Sequence, residues 1–252
     1  MSSLERRPLG RGAFELRPLQ LKPDVLKYPE GSCLVQAGDT AVLCTVTVEP
    51  SVPSWRRGEG LGWLTAEYGM LPRSTEKRTP REAARGRQSG RTLEIQRLIG
   101  RSLRAALDLE TLGERTLWVD CDVLQADGGT RTASITGGLV AVARAVERLL
   151  EEGELEESPL LEPVAAVSVG WVGDTALLDL DFLEDVQAEM DLNVVATGRG
   201  HLVEVQGTAE GVPVERSRYD LLLDVALEGI AKLVAAQKEV LASQAHLWRY
   251  AF

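Results

Sequence analysis

Two stretches of this chain share one pattern, and it constrains the fold more than any other feature. Gly31–Val48 and Val164–Leu180 are each a pair of apolar runs rich in β-branched residues. Each pair is joined by the same turn, Gly38-Asp39-Thr40-Ala41 in the first and Gly173-Asp174-Thr175-Ala176 in the second. Apolar runs that meet at Gly-Asp are a short-range signature of a β-hairpin. A lone hairpin is marginal in water, so each needs further strands or a helix over its apolar face.

The rest of the chain supplies those partners in matching order. Arg91–Leu107 places Leu93, Ile95, Leu98, Ile99, Leu103 and Leu107 at helical spacing, with Arg97, Arg101 and Arg104 on the other face. Thr116–Gln125 alternates Leu117, Val119, Cys121 and Val123, which predicts a strand with one face inward. Ala126–Arg131 reads as a tight loop, and Ala133–Glu151 as a second helix with small residues at its start. After the second hairpin come a third, Asp191–Thr197 with His201–Gly207 turning at Gly198–Gly200, and a closing helix from about Tyr219 to Ser243. Residues 1–30, with Pro8, Pro18, Pro23 and Pro29, read as irregular, and Arg56–Arg87 as a long loop region. The expected class is α+β, with helices packed on largely antiparallel sheets. The expected organisation is a single domain over 1–252 with pseudo-duplicated halves at about 13–150 and 163–243, meeting in the acidic linker Glu151–Glu162.

Composition narrows the chemistry. Only two histidines occur, His201 and His246, too isolated for a His-rich metal site or a Ser-His-Asp triad, so chemistry must lean on carboxylates, arginines and backbone amides. Three cysteines, Cys33, Cys44 and Cys121, each lie in an apolar β-like run and read as buried free thiols. The longest apolar runs, such as Leu139–Ala143, are far short of the ~20 residues a membrane span needs. Arg6, Arg7 and Arg11 in Met1–Gly12 have no apolar core behind them, so no secretory signal is expected and the cytosol is the expected home.

The net charge of −10 hides an asymmetry: Arg73–Arg104 holds ten Lys/Arg against three Glu, a local +7 on a remainder of −17. A basic segment on an acidic body suggests a confined site for a polyanion. Within it, Gly86-Arg87-Gln88-Ser89-Gly90-Arg91 leads into a helix, where glycines and free N–H groups suit an anion and an Arg can fork two bonds to phosphate. The same string also fits an ordinary loop with a solvated Arg. Asp127-Gly128-Gly129-Thr130-Arg131 repeats the logic after a strand; it is neither a P-loop nor GxGxxG. Glu184, Asp185, Glu189 and Asp191 put four carboxylates in eight residues, which suits Mg²⁺ or Mn²⁺ or else solvent-facing acids. Arg73, Arg78 and Arg81 suit a nucleic-acid backbone, and Trp55, Trp63 and Tyr68 could stack on bases or lie in the core. The Arg97, Arg101, Arg104 face reads as interface or solvated surface.

With these residues in view, the chain resembles the ribonuclease PH family. The strings that carry the resemblance are Gly62–Thr75, Arg87–Arg101, Asp120–Gly137, Glu184–Asp191 and Val203–Gly211, and the likeness runs from about Leu16 to Ala242. It implies a two-lobed fold of duplicated βαβ-type units, the ribosomal protein S5 domain 2-like arrangement, with mixed sheets and helices packed on them. It further implies a homohexameric ring, a trimer of dimers. The implied reaction is phosphate-dependent 3′-to-5′ trimming of tRNA precursors, with inorganic phosphate as co-substrate and nucleoside diphosphates released. The phosphate site then falls on Arg91, Gly129, Thr130 and Arg131, the RNA guide on Arg73, Arg78 and Arg81, and the catalytic acids on Asp185 and Asp191, which would also bind a divalent metal such as Mg²⁺. The tail Ala245–Phe252 looks like an extension. A non-catalytic RNA-binding ring subunit and a hydrolytic metal nuclease are the competing readings; the intact acids and arginines oppose the first, and the released product decides the second.

Overall fold

The computed structural model describes Arg7 and residues 10–250. The readings that fall on Met1–Arg6, Pro8 and the last two residues of the tail lie outside the described residues. The first hairpin forms as expected: β2 (Gly31–Ala37) and β3 (Thr40–Glu49) are antiparallel, with Ala37 opposite Thr40 across the Gly38-Asp39 turn. β1 (Leu19–Pro23) joins β2, and β5 (Thr116–Gln125) joins β3. The inward set Leu117, Val119, Cys121 and Val123 is buried, as the alternation requires.

One element was hidden in the segment expected to be loop. β4 (Trp63–Met70) lies at the sheet edge and runs parallel to β5, giving the order β1-β2-β3-β5-β4. Its buried residues Leu64, Ala66 and Tyr68 alternate with Thr65, Glu67 and Gly69, and the polar half made the stretch look loop-like. A parallel pair needs a crossover, and α1 (Gly90–Arg104), followed by the one-turn α2 (Leu109–Leu112), provides it, with α1 packing on β4. The apolar stripe of α1 holds, with Ile95, Ile99 and Leu103 wholly buried, each worth roughly 2 kcal/mol of transfer free energy. Leu93 is instead half-exposed, and Leu107 lies past the helix end, where it bridges Leu160.

α3 (Thr130–Glu151) starts three residues earlier than the apolar pattern suggested, so Thr130 and Arg131 stand in its first turn. The helix is packed between the two sheets, against β2 and β3 on one side and β6 on the other. Gly137 permits the close approach: a Cβ there would stand 2.6 Å from Cγ1 of Val35. The second sheet, order β7-β6-β8-β9, is antiparallel throughout and comprises β6 (Val164–Val172), β7 (Thr175–Leu178), β8 (Met190–Thr197) and β9 (Leu202–Ala209). Val164 and Ala166 of β6 face the α3 side, while Ala165, Val167 and Val169 face α5 (Arg216–Val240). Burial on both faces explains why β6 reads as one continuous apolar run.

The acidic stretch after β7 begins as a short helix, α4 (Phe182–Gln187). Cys33, Cys44 and Cys121 are free and buried. The tail packs back on the linker, Arg249 N–H donating to Leu160 O at 2.9 Å and Tyr250 N–H to Leu161 O at 3.0 Å. Among the described residues no helix is long and apolar enough to cross a membrane.

Candidate active site

One cleft of about 1120 Å³ is lined by Arg91, Gly129, Thr130, Arg131, Asp185 and Asp191 together. They arrive from four elements: Arg91 from the start of α1, Gly129–Arg131 from the start of α3, Asp185 from α4 and Asp191 from β8. The first two come from the first sheet's half of the chain, the last two from the second's.

The start of α1 is fixed by its own side chains. Ser89 caps the helix, its Oγ accepting from Thr92 N–H at 3.1 Å, and Glu82 accepts from Thr92 Oγ1–H at 2.8 Å and from Ser89 N–H at 3.3 Å. These bonds tie the preceding turn to the helix and leave Arg91 exposed at the cleft.

The start of α3 is held from below. Gly128 and Gly129 both take left-handed φ, +77° and +63°, where a side chain is strained. Buried Arg17 donates to Asp127 O at 2.6 Å, and Thr40 Oγ1–H donates to Gly128 O at 2.7 Å. Tyr68 belongs to the core rather than to a stacking surface: it is buried, and its hydroxyl meets Thr130 Oγ1 at 2.7 Å. Arg131 is aimed by Glu94 at 3.2 Å and Gln206 Oε1 at 3.0 Å. Two guanidiniums and the N-terminal amides of a 22-residue helix therefore open on one space, an arrangement suited to an anion.

Of the four clustered carboxylates, the cleft receives only Asp185 and Asp191. Glu189 pairs with Arg218 at 3.4 Å, and Glu184 turns inward. Asp181 and Glu184 form a capping box at the start of α4, and Glu184 is forked by Arg7 at 2.6 and 2.7 Å. Arg11 adds a contact at 3.4 Å, and Arg17 forks Asp179 at 3.1 and 2.7 Å. Burial pushes the Glu184 carboxyl up, but the bonds from Arg7 and Asp181 N–H outweigh it and hold the group below its ordinary value. The two cleft acids shift the other way. Crowding by surrounding protein raises Asp185 against the pull of Arg91 and Arg131, and burial, then repulsion from Asp185 and Glu210, raises Asp191. Gly128 locks the two sides together, since a Cβ there would stand 2.6 Å from the backbone carbon of Asp181.

Arg73, Arg78 and Arg81 are exposed on the loop after β4 and do not line the cleft. Trp63 packs edge-on against Trp55 at 4.9 Å with Arg104 at 4.3 Å over its ring, while Arg101 pairs with Glu204. Arg7, Arg11 and Arg17 are buried in a segment expected to be irregular, where nothing local marks them as structural. The signal lay elsewhere: Asp179 and Asp181 interrupt the apolar run Leu177–Phe182, and acids so placed demand buried cations.

Among the described residues no group of three or more His, Cys, Asp or Glu is placed to hold a metal ion. The Asp185/Asp191 pair supplies two oxygen donors whose mutual repulsion a divalent cation would relieve. Such a set fits Mg²⁺, which keeps several water ligands and takes one or two carboxylates.

Residues 15–146 match domain 1 of the 3′ exoribonuclease family and residues 162–229 match domain 2. The chain is 59% identical to a ribonuclease PH of Moorella thermoacetica over 232 residues, 92% of this chain and 93% of that one. It is 54% identical to a ribonuclease PH of Syntrophomonas wolfei over 235 residues, 93% and 98% of the two chains. Among solved structures, rice Rrp46 superposes with a TM-score of 0.76 over 94% of this chain and all of that one at 19% identity, a likeness of fold. An Archaeoglobus fulgidus exosome with RNA bound to the active site superposes with a TM-score of 0.74 at 25% identity, covering 90% and 91%.

Proposed function

The chain belongs to the ribonuclease PH family of 3′ exoribonucleases, and from that premise we propose how its cleft carries out the family's reaction. It is a phosphate-dependent 3′-to-5′ exoribonuclease of tRNA processing, transferring nucleotidyl groups to inorganic phosphate. The observation that supports the residue assignment is that Arg91, Arg131, Asp185 and Asp191 open on one cleft.

Arg91, Thr130, Arg131 and the amides near Gly129 hold inorganic phosphate and orient one of its oxygens toward the last internucleotide phosphorus. That oxygen forms the new P–O bond while the bond to the 3′-oxygen of the preceding nucleotide breaks. The terminal nucleotide leaves as a diphosphate, and the shortened RNA keeps a 3′-hydroxyl. Asp185 and Asp191 face the departing oxygen; a carboxyl held above its ordinary value is suited to keep a proton and hand it over. In the alternative, with the pair ionised, a Mg²⁺ held by it would supply charge neutralisation at that oxygen. Arg73, Arg78 and Arg81 grip the RNA backbone upstream without reading its sequence. The working assembly is a ring, a homohexamer built as a trimer of dimers, acting in the cytoplasm. The halves 13–150 and 163–243 are copies of one ancestral unit within a single domain, a reading supported by their shared Gly-Asp-Thr-Ala hairpin turn.

The test is to incubate the purified protein with a tRNA precursor carrying extra 3′ nucleotides, with and without phosphate, and identify the product. Nucleoside diphosphates released only with phosphate are expected. Nucleoside monophosphates released without phosphate would make the enzyme hydrolytic.

A further inference from the structure

The cleft also has an apolar part, which the phosphate site and the two acids leave unused. Phe182 and Val186 line the same cleft, yet they are 56% and 68% exposed. On α4, Phe182 stands three residues before Asp185 and four before Val186, so all three share one face. The opposite side of that helix is anchored by Glu184 through Arg7, and the capping box fixes its first turn. Among the described residues the Phe182 ring stacks on no other ring and carries no cation over its face. A flat apolar surface is thus held beside an acid of the site, with more than half of it open among the described residues.

We propose that Phe182, backed by Val186, is the platform on which the base of the RNA's 3′-terminal nucleotide stacks. The occupant follows from continuity with the polar site. Whatever sits against Arg91 and Arg131, beside Asp185, is an anion, and the group that joins an anion to a flat apolar face in RNA is the nucleotide. Stacking accepts every base because each has a π-face, which suits an enzyme that removes nucleotides one after another without choosing among them. The platform would hold the terminal sugar–phosphate still while phosphate attacks, so its contribution lies in RNA binding and not in the phosphate site. The proposal rests on the exoribonuclease reading above.

The experiment compares wild type with Phe182→Ala, Phe182→Leu and Phe182→Tyr in phosphorolysis of a short single-stranded RNA, with KM for RNA and for phosphate measured separately. Phe182→Ala is expected to raise the KM for RNA roughly tenfold, the size of one lost stacking contact, with the KM for phosphate unchanged. Phe182→Tyr is expected to match wild type, and Phe182→Leu to stay close to Ala. An RNA ending in 2-aminopurine is expected to lose fluorescence on binding wild type and to keep it on binding Phe182→Ala. Wild-type turnover with no change of KM in Phe182→Ala would overturn the platform alone, as would full activity in Phe182→Leu. Loss of the assembled state in Phe182→Ala by light scattering would mark the ring as a subunit contact and overturn it too. Failure of wild type itself to release diphosphates would strike the function instead.

Discussion

Arg91 and Arg131 face the same cleft under different restraint. Arg131 is held by Glu94 and Gln206, whereas Arg91 has no hydrogen-bond or ion-pair partner among the described residues. On the proposed assignment, removing Arg91 therefore takes away a phosphate ligand and little else. Arg91→Ala is expected to raise the KM for phosphate roughly thirtyfold or more, as loss of a charge-assisted bond implies. Its unfolding free energy in urea titrations is expected to stay within about 0.5 kcal/mol of wild type. An unchanged phosphate dependence in steady-state assays would remove Arg91 from the phosphate site. The acids carry a different signature. Asp191 titrates above its ordinary value when folded, so its ionised form opposes folding above that value, and the opposition fades as pH falls through it. Asp191→Asn is expected to abolish turnover, spare RNA binding in a filter assay, and raise Tm at neutral pH. A lowered Tm would assign Asp191 to the scaffold. The arginines and the Gly-Gly-Thr-Arg loop were legible because glycine, arginine and a following helix are local in sequence. That Asp185 and Asp191 point outward while Glu184 points inward was not, because partners 177 residues away decide it.

At the scale of elements, the hairpins and the three long helices could be read because one strong period covered each. β4 and α4 could not. β4 spreads its inward residues among polar ones in a Gly-rich, charged region, and its stabilising partner is a parallel strand reached only after a helix. α4 has six residues, too few for a helical period to show, and it exists because a cap and a buried ion pair hold it. The pair makes α4 sensitive to acid. Glu184 lies below its ordinary value when folded, so its stabilisation is full above the unfolded value and is lost as pH falls through the folded one. Glu184→Gln leaves Arg7 charged and buried without its counter-ion, and is expected to cost about 3 kcal/mol in denaturant titrations at pH 7. The difference from wild type is expected to shrink below about pH 4. A constant difference down to pH 3 would mean that packing, not charge, holds α4.

For the molecule as a whole, charge distribution and site location tell one story at two ranges. Arg73, Arg78 and Arg81 stand off the cleft and carry the basic segment outward on a body that is otherwise acidic. Their joint replacement by alanine is expected to lower the slope of log affinity against log salt for single-stranded RNA by about 2, at roughly 0.7 per phosphate contact. An unchanged slope would place the RNA elsewhere. Neither half of the chain owns the cleft, and that joint ownership is what the sequence concealed: the cleft arginines and the acids are at least 54 residues apart, Arg131 to Asp185, and meet through the packing of α3 against β6 and the Gly128–Asp181 contact. The three cysteines have a practical consequence. Cys33, Cys44 and Cys121 lie in the first sheet's core, with the Sγ atoms of Cys44 and Cys121 3.8 Å apart, and burial pushes the Cys33 thiol up to about 12. A thiol reagent can reach them only when that core opens. Labelling followed by mass spectrometry is expected to proceed in a single all-or-none step, so the chain carries its own built-in clock for global unfolding, readable without any added probe or mutation.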